Sequence, residues 1–471
     1  MNNLNFWLES FDKMRVERNP FKAHIIANSL NEHEQNQYVV LQAAFVLANG
    51  AINQDQERLY GFWLAAINNN LSLSNVITQA QAVDLDALRD GINLLEEKGL
   101  IEHFLVDVLV FTRLGGGLTD NLKTILGEWC QLLSLNEAQL NDVIALTDHI
   151  LDVEGPKVVK LTPTMELLLT NQIWQEFYVK PLTKEMLTNS INGGIWSLEK
   201  AISTECDINL TNTVVIFKNT ANIKQINSKL TLTNVGLINP VFDLYNVAMS
   251  FEQIIAVGKF DKEQKITSFT SNSTPDFSIR NSKFELINAR CFKFKDEESK
   301  GLFDTTVFKY CGNEYLNGGV ANYGQGVKFN NCDFLNCNSL IGGIIYCKTV
   351  LDSSIVSCKI DNCNSITICN NVNIGCIYSY TYIKSTAGLI IDSIINSNVS
   401  FYTGECFYSG DNERLFVNSK LLEKFNYYNI YKYEDDDFRY VLDYLSIELS
   451  DVKYAFDKNQ ELSEMPDWSN D

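Results

Sequence analysis

Two pairs of cysteines in the second half of the chain have a spacing that could support chemistry. Four residues separate Cys332 from Cys337 and Cys358 from Cys363, and the two pairs lie 26 residues apart. Four thiols could bind zinc, although zinc knuckles usually place two to four residues between their cysteines, in tight turns. A stacked coil would produce the same spacing by repetition alone. We therefore favour interior ladders of reduced cysteines over a zinc site.

Two aspartates are the candidates for acid–base chemistry. Asp352 lies in Leu-Asp-Ser-Ser-Ile and Asp392 in Ile-Asp-Ser-Ile-Ile. Cleavage of a glycosidic bond uses two carboxyl groups on either side of that bond, and similar settings would let these two aspartates face one groove. Asp-Ser is also ordinary turn chemistry. No histidine follows His149, which removes the commonest general base from the second half of the chain, so we lean against an enzyme.

A recurring phrase around the cysteines predicts the fold of this half. Its copies begin at Asn281, Asn331, Ser357 and Asn396. Each copy places a small residue and a large apolar residue two positions apart, so the two share one face of a strand. Asparagine tolerates left-handed backbone and suits the turn before the strand. The residues between the two inward positions point outward. These outward residues are Lys283, Asp333, Lys359 and Asn398.

The phrases Asn-Cys-x-Phe and Gly-Gly-Ile-Ile-Tyr, at 331–334 and 342–346, are similar to those of the right-handed parallel β-helix proteins of the pectate-lyase-like superfamily. The resemblance covers about 195–430. It implies parallel strands stacked in coils, with cysteine and serine in interior ladders. Some relatives cleave acidic polysaccharides, whereas others are tail spikes, adhesins or scaffolds, so the fold leaves the function open.

Residues 1–152 instead show apolar residues at helical spacing, which predicts a bundle of helices. Two helix–turn–helix units, at 45–57 and 109–120, look alike. In each unit a glycine ends one helix and a polar residue opens the next. This pattern resembles the tellurite-resistance TerB-like domain over about 36–151. The resemblance implies an internal duplication and, in some members, a metal bound by acidic residues after the turn.

The metal site that this resemblance implies is incomplete here. Asn49 and Gly115 stand where the motif has its first acid, and Lys123 falls opposite Glu57. The matching acids that remain are Asp55, Glu57 and Asp120. Hard cations need several converging oxygen ligands, so we favour helix caps and a solvated acidic face over a metal site, and we expect no cofactor.

The four histidines show no metal-binding or catalytic spacing. They are His24, His33, His103 and His149. No two are four residues apart, and no His-Glu-x-x-His motif occurs. We interpret each as an ordinary surface or half-buried histidine.

These patterns predict a multidomain chain with α and β structure, divided into four segments. Residues 1–152 form an N-terminal all-α bundle. Residues 153–205 are a linker and N-terminal cap, and the pattern at 195–202 predicts a short amphipathic helix there. Residues 206–432 form the right-handed parallel β-helix, a solenoid. Residues 433–471 form an acidic helix and tail, which predicts a C-terminal helical cap over the last coil.

The net charge of −20 lies mainly at the two ends. Residues 1–152 contain nine basic and 20 acidic residues, and residues 433–471 contain three basic and 12 acidic residues. Acidic ends do not attract nucleic acid, but they suit a basic protein partner or mimicry of a polyanion. No apolar run is long enough for a membrane span, and the first residues lack the features of a secretory signal, so we expect a cytoplasmic protein.

Together these patterns favour a non-catalytic scaffold or protein-interaction module. The TerB-like resemblance implies a bacterial stress response or phage defence. A carbohydrate-active β-helix protein, of polysaccharide lyase or hydrolase type, is the first alternative, and an acidic polyanion mimic is the second.

Overall fold

The computed structural model of the chain divides into two units, Met1–Lys180 and Pro181–Asp471. Side chains are described between His24 and Cys363. The residues that the structure describes are 24–67, 71–114, 118–153, 158–169, 179–218, 221–258, 268–273, 276–287, 290–295, 300–312, 318–323, 326–339, 344–347, 354–361, 363–365, 368–369, 372–373, 377–379, 388–396, 399–402, 415–421 and 425–428.

The first unit is a helical bundle, as the apolar spacing predicts. Its helices are α1 (Ile25–Ser29), α2 (Glu32–Asn49), α3 (Gln54–Ile67), α4 (Leu73–Gln81), α5 (Leu85–Lys98), α6 (Ile101–Leu114), α7 (Asp120–Leu132), α8 (Glu137–Ile150) and α9 (Pro163–Leu169). In the described residues of both units, no helix is long and apolar enough to cross a membrane.

Short polar side chains begin most of these helices by binding backbone N–H groups that have no partner within the helix. Asn31 and Glu34 form a capping box at α2, and Asn136 and Gln139 form another at α8. Gly99 ends α5 with left-handed backbone at φ 63°, which glycine adopts without strain. These local signals are readable in the sequence.

The second unit is a parallel β-solenoid over 191–361, preceded by the short helix α10 (Lys184–Leu187). The strands of the chain are β1 (Val179–Pro181), β2 (Ile191–Asn192), β3 (Ile195–Leu198), β4 (Ile202–Thr204), β5 (Ile208–Phe217), β6 (Ile223–Ile238), β7 (Phe242–Glu252), β8 (Ile255–Val257), β9 (Phe269–Ser273), β10 (Phe277–Arg280), β11 (Lys283–Glu285), β12 (Phe292–Phe294), β13 (Gly301–Asp304), β14 (Val307–Lys309), β15 (Ala321–Tyr323), β16 (Val327–Asn330), β17 (Asp333–Leu335), β18 (Asn338–Ser339), β19 (Ile345–Cys347), β20 (Ser354–Val356), β21 (Lys359–Asp361), β22 (Asn364–Ser365), β23 (Ile368–Cys369), β24 (Val372–Asn373), β25 (Ile377–Ser379), β26 (Gly388–Asn396), β27 (Val399–Tyr402), β28 (Leu415–Leu421) and β29 (Phe425–Tyr428).

Three parallel faces run along the solenoid. Face 1 contains β7, β10, β13, β16 and β20; face 2 contains β8, β11, β14, β17 and β21; face 3 contains β9, β12, β15, β19 and β25. Phe277 lies beside Gly301, and Gly301 beside Val327. One coil therefore takes 24 residues and the next takes 26.

The corner between face 1 and face 2, which we call the first corner, uses left-handed backbone in coil after coil. The residues with positive φ at this corner are Asn212, Asn234, Gln253, Asn281, Thr305, Asn331 and Ser357. Asn234 Nδ2 donates to Asn212 Oδ1 at 2.6 Å, and Asn212 Nδ2 donates to Asn192 Oδ1 at 3.0 Å. The predicted role of asparagine in turns is thus confirmed, because it supplies both the strained conformation and a bond to the next coil.

Aromatic rings fill the interior and stack from coil to coil. The ring centroids of Phe303 and Phe329 lie 4.8 Å apart, and those of Phe308 and Phe334 lie 5.4 Å apart. These residues, like the inward positions Cys332 and Phe284, are fully buried. The small-then-large phrase therefore describes the interior of the coil, as predicted.

Two local predictions are wrong. Residues 195–202 do not form a helix: Ile195 to Leu198 are strand β3, which pairs with β5. A short amphipathic pattern fits either period, and hydrogen bonds to the neighbouring strand decide between them. The copy beginning at Asn396 is also out of register, because Asn396 lies opposite Asp361 rather than opposite Ser357. The predicted cap at 433–471 lies outside the described residues.

Candidate functional site

The helical bundle contains a concentration of buried polar side chains, which we call the buried polar cluster. Each of its members has at most 1% of its surface exposed. The cluster comprises His24, Tyr38, Gln42, Tyr60, Trp63, His103 and Asp107. Such groups are rarely enclosed without partners, because desolvation is costly.

Asp107, on α6, joins two other elements at the centre of this cluster. Tyr38 Oη, on α2, donates to Asp107 Oδ2 at 2.7 Å. His24 Nε2 lies 3.1 and 3.2 Å from the two carboxylate oxygens. His24 Nδ1 accepts the backbone N–H of Ile26 at 3.3 Å and caps α1. Since Nδ1 accepts, the ring proton belongs on Nε2, which donates to the carboxylate in the neutral imidazole.

Aromatic groups enclose these bonds. The ring of Trp63 lies 5.5 Å from that of His24 and 6.2 Å from that of Tyr38. Tyr60 Oη donates to Gln42 Oε1. Burial, with Asp107 nearby, raises the pKa of Tyr38, and burial also raises the pKa of Tyr60. Both phenols therefore stay protonated and act as hydrogen-bond donors at neutral pH.

The interpretation of all four histidines as surface or half-buried is wrong for two of them. His24 and His103 are fully buried, whereas His33 is exposed and His149 is half-buried. The sequence contained a signal for this, because Asp107 is the one carboxylate in the largely apolar run 103–112. Every residue from His103 to Thr112 is buried, so a carboxylate in the middle of this apolar helix requires a buried partner.

His103 gives the bundle a pH dependence. Burial lowers its pKa from 6.5 to about 4, with His24 adding to this effect and Asp107 opposing it. The unfolded chain therefore binds a proton near pH 6.5 that the folded chain refuses until about pH 4, so stability is lost as the pH falls through this window. We expect His103 to account for a loss of about 3 kcal/mol between pH 7.5 and pH 4.

Urea unfolding of wild type and His103→Leu at several pH values measures this contribution. The difference in unfolding free energy between the two proteins should change with pH below 6.5 and stay constant above it. A difference that is the same at pH 7.5 and pH 4 would show that His103 titrates normally.

The acids that the TerB-like resemblance implies as metal ligands are all exposed. Asp55 and Glu57 lie in the first turn of α3. Asp120 opens α7 and pairs with Lys123 at 2.9 Å. Asn49, at the motif's first acid position, accepts the N–H and the hydroxyl of Thr119, both at 2.9 Å. Across the described ranges, no three or more His, Cys, Asp or Glu residues are grouped so as to hold a metal ion.

The paired cysteines of the solenoid lie in its interior, directly after the corners. Cys332 Sγ donates to the carbonyl of Asn330 at 3.2 Å, and Cys358 Sγ donates to that of Val356 at 3.3 Å. Ser282 makes the same bond two residues back, at 2.6 Å. Each of these carbonyls also accepts a backbone N–H from the neighbouring coil, so the small inward side chain supplies a second hydrogen bond to it. After the next corner, the thiols of Cys337 and Cys363 make the same bond to the carbonyl two residues back.

These environments predict a sharp contrast in thiol reactivity. Cys206 is exposed, whereas Cys311 and Cys332 are buried, and burial raises the pKa of Cys311. Because the thiolate is the reactive form, we expect iodoacetamide to modify Cys206 in the native protein at least tenfold faster than Cys311 or Cys332. Peptide mass spectrometry after timed labelling measures the three rates, and denatured protein provides the control in which they converge.

One of the two candidate catalytic aspartates lies within the described residues. Asp352 lies outside the described residues, but Ser354, two residues later, lies opposite Leu389. Asp392 comes three residues after Leu389, in β26. Its neighbours Ile391 and Ile394 lie opposite Val356 and Lys359. Asp392 thus stands at the level of the first corner.

On face 2, acids and lysines are paired. Glu285 accepts from Lys283 on its own strand and from Lys309 Nζ at 3.3 Å in the next coil. Partial burial raises the pKa of Glu285, but the two lysines outweigh it, and the net pKa is lowered. Asp333 lies opposite Lys359. Opposite charges thus lie side by side on face 2; Asn398 lies outside the described residues.

No family model, no curated protein and no solved structure matches the chain. The function must therefore be argued from the geometry of the two units. That geometry offers a buried polar cluster in the bundle and a regular outer surface on the solenoid.

Proposed function

We propose that the protein is a non-catalytic scaffold that binds a protein partner along face 2 of its solenoid. The observation that carries this proposal is the pairing of Glu285 with Lys283 and Lys309. A general acid at neutral pH needs a raised pKa, whereas the pKa of Glu285 is lowered. Such a network suits a rigid recognition surface better than proton transfer.

The composition of face 2 favours a protein as the partner. Ile255, Val307 and Leu335 are half-buried outward residues that lie among the charged ones. Protein interfaces combine apolar side chains with salt-bridged charges, because burial supplies affinity and charge supplies specificity. The acidic ends of the chain would favour a partner with basic surface.

The alternatives receive less support from the same surface. A carbohydrate-active protein needs two facing carboxyl groups, whereas the Glu285 carboxylate of face 2 is paired with two lysines. A polyanion mimic needs rows of acids, whereas lysines alternate with the acids on face 2. We therefore retain the scaffold as the proposal.

Finer features of the proposal rest on resemblance. A right-handed winding of the coils follows from the likeness to pectate-lyase-like proteins. Membership of the TerB-like family and a place in stress response or phage defence follow from the resemblance of the helical turns, and we keep the expected cytoplasmic location as a separate part of the proposal. The paired helices α2–α3 and α6–α7 support the duplication that the TerB-like resemblance implies.

Charge reversal on face 2 tests the scaffold proposal. The full chain and its Lys283→Glu, Lys309→Glu double variant would be used to capture partners from the native host, with Lys328→Glu, an exposed residue of face 1, as the matched control. We expect a partner that wild type and control retain and the double variant loses, with circular dichroism showing that all three are folded. Equal recovery by all three proteins, or release of oligosaccharide from an acidic polysaccharide, would overturn the proposal.

A further inference from the structure

Three members of the buried polar cluster each carry a polar atom without a hydrogen-bond partner. These atoms are Gln42 Nε2, Trp63 Nε1 and His103 Nε2. An enclosed donor without a partner costs about 1–3 kcal/mol. Most native proteins satisfy such groups with protein, water or a ligand, so three in one cluster require an explanation.

Contacts place the three side chains in one packed region of the bundle. Trp63 packs against Tyr60, with ring centroids 6.2 Å apart, and Tyr60 is bonded to Gln42. His103 precedes Asp107 by one helical turn on α6, and Asp107 bonds to Tyr38 and His24, whose rings lie against Trp63. The free atoms thus come from α2, α3 and α6 and belong to one packed region.

We propose that the bundle encloses a small neutral guest that accepts hydrogen bonds from Trp63 Nε1 and Gln42 Nε2 and bonds to His103 Nε2. Indole and amide N–H groups require an acceptor, which disfavours a cation. The carboxylate of Asp107 in the same cluster disfavours an anion. A neutral oxygen acceptor remains, supplied either by ordered water or by a small neutral polar molecule.

The sign of a stability change tests whether a guest is present. Removing a truly unpartnered polar atom should stabilise the bundle, whereas removing a guest's partner should destabilise it. At pH 8, where His103 is neutral, we expect His103→Leu to increase the unfolding equilibrium constant about fivefold. Gln42→Met should do the same when introduced into Tyr60→Phe, a background in which Gln42 Oε1 has already lost the bond from Tyr60.

Two measurements distinguish the sources of the guest. In full chain carrying ¹⁵N-labelled tryptophan, a cross-relaxation peak between water and the Trp63 indole proton, assigned with Trp63→Phe, identifies ordered water. A bound mass in native mass spectrometry that His103→Leu loses identifies a small molecule. The proposal is overturned if both substitutions stabilise the bundle with neither signal present, or if the indole proton instead contacts a side chain from residues 1–23.

Discussion

Phe308→Ala is expected to lower the free energy of unfolding of the solenoid unit by about 3–5 kcal/mol. Phe308 is fully buried, and its ring stacks between Phe284 at 5.3 Å and Phe334 at 5.4 Å. The rings of Phe303 and Phe308 meet edge to face, with their centroids 5.6 Å apart. Substitution therefore removes apolar burial and leaves a cavity between three coils, which the stacked strands are too constrained to close.

The effect should also be local along the solenoid. Each coil contacts only its neighbours, so stability is nearly a sum of terms between adjacent coils. In the Phe308→Ala variant, we expect the rate of amide exchange to increase more in β11, β14 and β17 than in β5. Tyr310→Ala is the matched control: Tyr310 lies two residues away but is 44% exposed, and its loss should cost under about 1 kcal/mol. Equal urea midpoints for the two variants would contradict the stacked-core account.

Asp107→Ala is expected to destabilise the helical bundle by about 2–5 kcal/mol, because it removes the acceptor of two buried donors at once. Tyr38 Oη and His24 Nε2 both donate to this carboxylate. Neither donor can reach solvent, since all three side chains are buried. Urea unfolding of the full chain, followed by helical circular dichroism, measures the loss.

Two comparisons make the Asp107 result specific. Asp120→Ala removes a carboxylate that is 96% exposed and should change stability by less than about 0.5 kcal/mol. Tyr38→Phe with Asp107→Ala forms a double-mutant cycle, and the two losses should not add, because they share one hydrogen bond. Additive losses would mean that the Tyr38–Asp107 bond contributes nothing to stability.

The repeat of the solenoid could be predicted because it depends on local chemistry. Cys332 and Phe334 alternate with Asp333, so their common inward face follows from the period of a strand. Asn331 adopts φ 50°, which its side chain tolerates better than most. The register of the last copy was not predictable. Residues 391–396 pair with the preceding coil, with Ile394 opposite Lys359. The similarity of residues 396–399 to the earlier copies could not show this pairing.

The amino-acid sequence by itself determined the two kinds of structure, the helix caps and the inward placement of the cysteines, since each depends on residues a few positions apart. Only the tertiary structure decided that Asp107 meets Tyr38 and His24, which are 69 and 83 residues away in the chain. Helical spacing reports which face of α6 is apolar, but not which side chains another helix brings to it. The pairing of Glu285 with Lys309 likewise depends on the stacking of separate coils.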